Sequence, residues 1–340
     1  MATPAPAQPE RRLLWHLACD YGVVAGFVGL AFLLGIWTPH FFEPYNFQTL
    51  GEQVATNLIL SLGMTVVILT GGIDLSVGSI VALSGVSAVM ALTHPGFATA
   101  FGSATVPAAV GIGVLVGATV GLVNGLSVAH LGMPPFIVTL ATMRICRGLA
   151  KQIIGGTSIG VVDPGLPMAE QLNANLQAIQ PLGLGFPTPF LLALGVTVST
   201  VLLLGRTRYG RHVYAIGGSE AAARLSGVPV RRVKLMAYLL GGLLAGLAGV
   251  MEAGKVQSGS PTAGEGFELN AIAAVVVGGT SLAGGRGSAV GTFVGAVFII
   301  GVMNKVLGLH NVPPFYREVA SGAIIFVTVL LDLWLRRKGA

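Results

Sequence analysis

Apolar residues in this chain arrive in runs too long for a soluble core, and that length decides what the chain can fold into. A helix crossing the hydrocarbon core of a bilayer needs about 20 mainly apolar residues, within a range of roughly 17–25. Ten such stretches are predicted, at 21–37, 54–70, 75–92, 106–128, 135–154, 189–204, 235–254, 268–284, 288–304 and 315–335. Charge between them is sparse: 53% of the 340 residues are hydrophobic and 9% are charged, against roughly a quarter charged in a soluble domain. Backbone groups inside lipid must bond to one another, and the alternating strands of a β-barrel are missing. The fold class expected is therefore all-α, a polytopic transmembrane helix bundle of about ten spans. Fifty glycines suit such a bundle, because small residues let helix backbones approach closely.

The charges that do occur set the orientation. Residues 205–234 hold seven Lys or Arg side chains plus Glu220. Basic residues also mark the amino-terminal tail, at Arg11 and Arg12, and the carboxyl end, at Arg336, Arg337 and Lys338. Segments 38–53, 93–105 and 155–188 contain no Lys or Arg. Cationic loops stay on the cytoplasmic side, so an even span count with both termini cytoplasmic is expected. The organisation follows: a cytoplasmic tail over 1–20, a transmembrane domain over 21–335 and a short tail over 336–340. A cytoplasmic loop spans 205–234, and a loop on the opposite face spans 155–188. A sequence pI near 9.6 reflects this topology, and nucleic-acid binding is not needed to explain it. Residues 1–20 read as a tail rather than a cleaved leader, since no small-residue cleavage site follows the first apolar run. Cys19 and Cys146 are the only cysteines, and their positions imply neither a disulfide nor a zinc site.

Four segments stand out from the apolar background. Thr70-Gly71-Gly72-Ile73-Asp74-Leu75-Ser76-Val77-Gly78 joins the second and third spans. Its glycine pair predicts a sharp turn or helix break. Asp74 there either lines a pathway, where an intramembrane acid must be paired or wetted, or caps the following helix. Pro134 and Pro135 open the fifth span, followed by Phe136 and Thr139. Arg144, Arg147 and Lys151 come next, at a spacing that shares one helix face. Lys151 can snorkel to the interface; Arg144 and Arg147 should face protein, water or an acid such as Asp74 or Glu252. Within 205–234, Ser219 followed by Glu220, Ala221, Ala222, Ala223, Arg224 and Leu225 predicts a capped helix of about two turns, closed by Ser226 and Gly227. Such a segment is either a solvated loop or a docking element. Finally Gly264–Gly291 carries two Gly-Gly pairs, and its Gly278-Gly279-Thr280-Ser281-Leu282 echoes Gly71-Gly72-Ile73-Asp74-Leu75.

No phosphate-binding Gly-x-x-x-x-Gly-Lys-Ser/Thr loop occurs, nor a His-Glu-x-x-His pattern. The six histidines are scattered, so no metal set or catalytic constellation is expected, and the chain does not read as an enzyme. One reading of the residues is an ion-coupled secondary transporter using Asp74 with Arg144 and Arg147, since broken helices with intramembrane charge suit that class.

Taken together, GGIDLSVG at 71–78, PPFIVTLATM at 134–143, YAIGGSEAAARLSGVPVRRVK at 214–234, GEGFELNAIAAVVVGGTSLAGGRGS at 264–288 and VLLD at 329–332 resemble the permease subunits of bacterial ABC importers for monosaccharides, the ribose-type sugar permeases. The resemblance implies a bundle of roughly eight to ten transmembrane helices in the bacterial inner membrane, forming a two-subunit pore with a second permease copy. It implies that Ser219, Glu220, Ala221, Ala222, Arg224, Leu225, Ser226 and Gly227 couple to a separate ABC ATPase, which binds the ATP this chain cannot. It also implies a periplasmic sugar-binding protein on the opposite face and a monosaccharide substrate. The path would be shaped by Thr70, Asp74, Ser76, Phe136, Thr139 and Arg147. Arg144 and Lys151 depart from the family pattern, as do Asn270 and Glu318.

Overall fold

The computed structural model describes residues 25–160 and 187–339. The expected tail over 1–20, with Cys19, and most of the 155–188 loop lie outside the described residues. The chain is helical almost throughout. In order come α1 (Ala25–Trp37), α2 (Pro44–Leu69), α3 (Val77–Thr93), α4 (Pro95–Phe101), α5 (Thr105–Ala129), α6 (Pro135–Ile153) and α7 (Thr188–Arg206). They are followed by α8 (Arg208–Gly218), α9 (Glu220–Leu225), α10 (Val230–Val256), α11 (Phe267–Val277), α12 (Ala289–Leu309) and α13 (Pro314–Gly339). Two short strands, Ile159–Gly160 and Ser258–Gly259, pair antiparallel.

Helix α2 is the axle of the bundle. Every residue from Val54 to Thr70 is buried, as expected of a helix apolar on all sides. Around it pack α7, α10, α11 and α12. The most extensive helix pair, α5 with α10, depends on glycine. Gly113, Gly117, Gly121 and Gly125 repeat every fourth residue along α5; the first three meet Gly242 and Gly246 of α10, and Gly125 meets its Leu235 and Tyr238. A side-chain carbon at Gly117 would strike the Gly242 carbonyl and lie 2.6 Å from the Gly246 Cα. In lipid, where apolar contact alone gives little drive for association, such backbone approach supplies the packing.

The structure differs from the expected elements in five places. Among the described residues, α2, α5 (with the residues from Thr99), α7, α10 and α12 are each long and apolar enough to cross a membrane, and α1, α3 and α11 are shorter apolar helices; α6 has the length, 19 residues, but carries Arg144, Arg147 and Lys151. The span expected at 268–284 stops at Val277, because Gly279 takes a positive φ of 86°. Its 11 residues reach only about 16 Å. Conversely, α2 begins ten residues ahead of the expected 54, with Pro44 in its first turn. Helix α12 runs beyond the expected 304 through a π-helical stretch, Val297–Met303, to Leu309. Asn304 Nδ2 donates to the Ile300 carbonyl at 3.1 Å across the wider turn. The stretch expected as open loop over 205–218 is mostly helix: Thr207 Oγ1 accepts the Gly210 N–H and caps α8, which buries Gly210, Val213 and Ile216 on one face.

Candidate functional site

The four segments singled out above converge on the end of α2. The helix stops where Gly71 takes a φ of 79°, and residues 71–76 are non-helical. Asp74, fully buried, then folds back on its own chain: Oδ1 accepts the Ser76 N–H at 2.8 Å and the Ser76 hydroxyl at 2.5 Å. Ser76 Oγ also accepts from Asn124 Nδ2 at 2.9 Å, and Asn124 Oδ1 accepts from the Thr142 hydroxyl at 2.7 Å. A polar chain thus runs from the break between α2 and α3 through α5 to α6, with Asp74, Ser76 and Asn124 at zero exposure. Thr139 donates to the Pro135 carbonyl at 2.9 Å and more distantly, at 3.4 Å, to the Ile73 carbonyl. Asp74 Oδ2 and the Tyr238 hydroxyl are buried with no hydrogen-bond partner among the described residues, and the Tyr238 hydroxyl fills the space a side chain at Gly72 would need. Asp74 therefore forms a side-chain turn just ahead of α3, whose N-cap is Ser76.

A second layer closes over this break. The Leu69 carbonyl, orphaned at the end of α2, accepts the N–H of Gly285 at 3.0 Å. Gly217, near the end of α8, lies so close that a side-chain carbon there would strike the Leu69 carbonyl and the Gly285 nitrogen. The Tyr214 hydroxyl donates to the Gly287 carbonyl at 2.9 Å. Segments 69–76, 214–218 and 281–287, far apart in sequence, are thereby one backbone junction.

Helix α9 projects from that junction. Ser219 Oγ accepts the Ala222 N–H at 3.3 Å, Glu220 lies in the first turn and Arg224 in the last, and Gly227 turns the chain away with φ 79°. Glu220 holds the helix on both sides, accepting Arg224 at 2.9 Å and Lys234 of α10 at 2.6 Å. The Lys234 hydrogen bond is the largest influence keeping the Glu220 carboxyl below its ordinary range. Ala223 is the one buried residue of α9. Ala221, Ala222, Arg224, Ser226 and Gly227 are exposed, and Leu225 is 90% exposed. Behind α9 a cleft of about 500 Å³ is lined by His130, Pro134, Arg224, Arg231 and Lys234 among others.

Of the residues read from sequence as path-shaping, Asp74, Ser76 and Thr139 meet in this cluster, and Thr70 sits at its rim, donating to the Val67 carbonyl. Phe136 is exposed, at 56%, near the start of α6. Arg147 lies three turns further along α6 and points elsewhere: its guanidinium donates to the carbonyls of Pro261 and Ala263 at 2.8 and 2.7 Å. The acid partners expected for the α6 arginines do not meet them. Asp74 makes no ion pair among the described residues, and Glu252 accepts from Thr56 and faces Lys255 instead. Asn124, Thr142 and Tyr238 belong to the site but escaped the sequence reading; a lone asparagine in the apolar run of α5 was the available signal.

The chain matches the family described as "Branched-chain amino acid transport system / permease component" over residues 47–329. It is 46% identical over 323 residues to the ribose import permease protein of Bacillus subtilis (strain 168), covering 94% of this chain and 93% of that protein. It is 41% identical over 302 residues to the ribose import permease protein of Escherichia coli (strain K12), covering 87% and 88%. The L-arabinose transport system permease protein of Escherichia coli (strain K12) is 35% identical, covering 94% and 92%. No solved structure matches the chain.

Proposed function

Because this chain belongs to the branched-chain amino acid transport system / permease component family, we propose that it is the multi-pass permease subunit of an ATP-driven monosaccharide importer in the bacterial inner membrane. Its relatives named for ribose and L-arabinose import support a monosaccharide as the cargo. In this reading two permease subunits form the pore, a periplasmic binding protein delivers the sugar, and a separate ATPase binds ATP. The ion-coupled alternative is not favoured, since the relatives are import permeases and Arg147 is committed to loop carbonyls.

The observation that carries the reading is the continuity between α9 and the break at Asp74. Helix α9 offers Leu225 and Arg224 to a partner. It is joined through Ser219 to the end of α8, where Gly217 seats against Gly285 and the Leu69 carbonyl. A displacement of α9 by an ATPase closing on its nucleotide is passed to α2 through backbone atoms, which cannot absorb it by rotamer change. The polar chain Asp74–Ser76–Asn124–Thr142 lies directly beyond, so the end of the path is reshaped as α2, α5 and α6 shift.

The test is affinity purification of the permease from gently solubilised native membranes, wild type beside Glu220→Arg, with partners identified by mass spectrometry. Glu220→Arg sets a third cation against Arg224 and Lys234 and should splay α9. A P-loop ATPase recovered with wild type and lost with the variant is the expected outcome. Undiminished ATPase recovery and sugar uptake in the variant would overturn the assignment of α9.

A further inference from the structure

The outward face of α6 differs from those of α5 and α7. Helix α6 buries Val138, Thr139, Thr142, Cys146 and Ala150 against the core, where it packs on α3 and α5. At 3.6 residues per turn, the residue opposite that stripe is Arg144, with Ile137, Gly148 and Lys151 stacked in line with it. Arg144 and Lys151 are exposed, Ile137 is 55% exposed, and a side-chain carbon at Gly148 would meet nothing within 4 Å. Arg144 makes no hydrogen bond or ion pair among the described residues. It also stands nine residues from either end of Pro135–Ile153, about 14 Å from each, so if α6 spans as the sequence over 135–154 predicts, its charge lies far from both interfaces.

The neighbours make the contrast. On α5 the exposed large residues are Leu115, Leu122, Val123 and Leu126, and on α7 they are Leu192, Leu194, Val198 and Leu202. Helix α6 exposes Ile145 and Leu149 as well, but a face centred on a guanidinium with no partner among the described residues suits lipid poorly. We infer that α6 crosses the membrane with its Arg144 face on the aqueous path, and that Arg144, midway along the helix, is a specificity-determining residue of that path. The inference rests on the importer reading for the second subunit that closes the path. A guanidinium presents five N–H donors and no acceptor. It can donate to the hydroxyl oxygens of a neutral monosaccharide or to the carboxylate of a sugar acid, and it repels a protonated amino sugar. Lys151, two turns along, extends the same preference.

The experiment uses the full chain, assembled with its partners in membranes, with Cys19 and Cys146 replaced by serine. Single cysteines are placed by Arg144→Cys, by Gly148→Cys (a smaller change on the same face) and by Leu115→Cys on α5 as the lipid-facing control. A membrane-impermeant sulfonated thiol reagent should modify positions 144 and 148 at least tenfold faster than position 115. At position 148, where Arg144 remains, it should outpace a trimethylammonium reagent of the same size. Rates at 144 and 148 as slow as at 115 would overturn the inference. So would undiminished uptake and unaltered discrimination against amino sugars in Arg144→Leu, the outcome for a lipid-facing side chain. Uptake by the cysteine-free parent, with and without its ATPase, is read alongside. A parent that needs no ATPase sinks the importer reading, whereas a parent that needs it but is unreactive at 144 and 148 sinks only this inference.

Discussion

Gly71–Leu75 and Gly278–Leu282 are the same pattern used twice. Each follows a helix, α2 or α11, and each makes the same local turn: Asp74 Oδ1 accepts the Ser76 N–H, and Ser281 Oγ accepts the Ala283 N–H at 3.2 Å. Their surroundings differ. The first turn is sunk in the bundle, with Asp74 and Ser76 at zero exposure and three further side chains drawn into its network. The second opens to solvent on one side, with Leu282 39% exposed and Arg286 exposed, while Thr280 and Ser281 stay buried. It is tied to the bundle by the Gly285 N–H on the Leu69 carbonyl and by the Gly287 carbonyl, which accepts the Tyr214 hydroxyl. Local chemistry fixes the turn; the larger group, a carboxylate with a spare oxygen, appears where the turn feeds a polar network. The outer turn then acts as the strap that fastens α8 to α2.

The largest effect is expected from breaking the strap. Gly217→Val would drive side-chain atoms into the Leu69 carbonyl and the Gly285 nitrogen. Overpacking ordinarily costs about 1–3 kcal/mol, and here backbone rather than side chains would have to yield. Sugar uptake should vanish and the thermal midpoint of the purified permease should fall. Gly218→Ala is the matched control, since a side-chain carbon at Gly218 meets nothing within 4 Å, and it should transport like wild type. Equal loss in both variants would mean the junction is a generally intolerant loop and not a specific contact.

The next effect separates the turns themselves. Asp74→Ala removes the acceptor of two bonds in a fully buried site and leaves the Ser76 N–H without it, a cost of about 1–3 kcal/mol. Ser281→Ala removes one partly exposed turn bond, worth about 0.5–1.5 kcal/mol. Uptake should drop at least tenfold in the first and stay within twofold of wild type in the second, with the thermal midpoints in the same order. The reverse order would dissolve the distinction between a buried, network-forming turn and a strap.

Much of this was legible in the sequence because it is local. Ser219, Glu220 and Gly227 carry their own capping chemistry, and α9 forms as Glu220–Leu225 as their spacing predicts. The Gly-Gly break after Thr70 is equally self-contained. What was hidden depends on neighbours. Hydropathy counts apolar residues without knowing that Val277 is the last before a left-handed glycine, so α11 looked long enough to span. Tyr209, Val213 and Ile216 repeat at helical spacing, yet the basic residues among them masked α8 as loop. Arg147 finds carbonyls 114 residues away, and Asn124 finds Ser76 across 48; no spacing rule joins such pairs.

The smallest effect concerns the far end of the strap, where α9 meets α10. Glu220 sits between Arg224 and Lys234, and these bonds lower its carboxyl below the ordinary 4.5. A folded-state value below the unfolded one means the contribution is complete above the unfolded value and is lost as pH falls through the folded one. Stability from this pair should therefore be flat from neutrality down to about pH 4.5 and decline only below it. The Glu220 side chain is 41% exposed, so solvent screens the pair and the decline should be shallow. Glu220→Gln keeps the shape but not the charge. Its thermal midpoint should lie slightly below wild type at pH 7, and the two curves should converge in acid. Because the buried turn at Asp74 is untouched by this change, ATPase recovery should respond to acid more steeply in wild type than in Glu220→Gln. Parallel curves for both proteins would show that α9 is held by its cap and by Ala223 alone, with the ion pairs contributing nothing measurable.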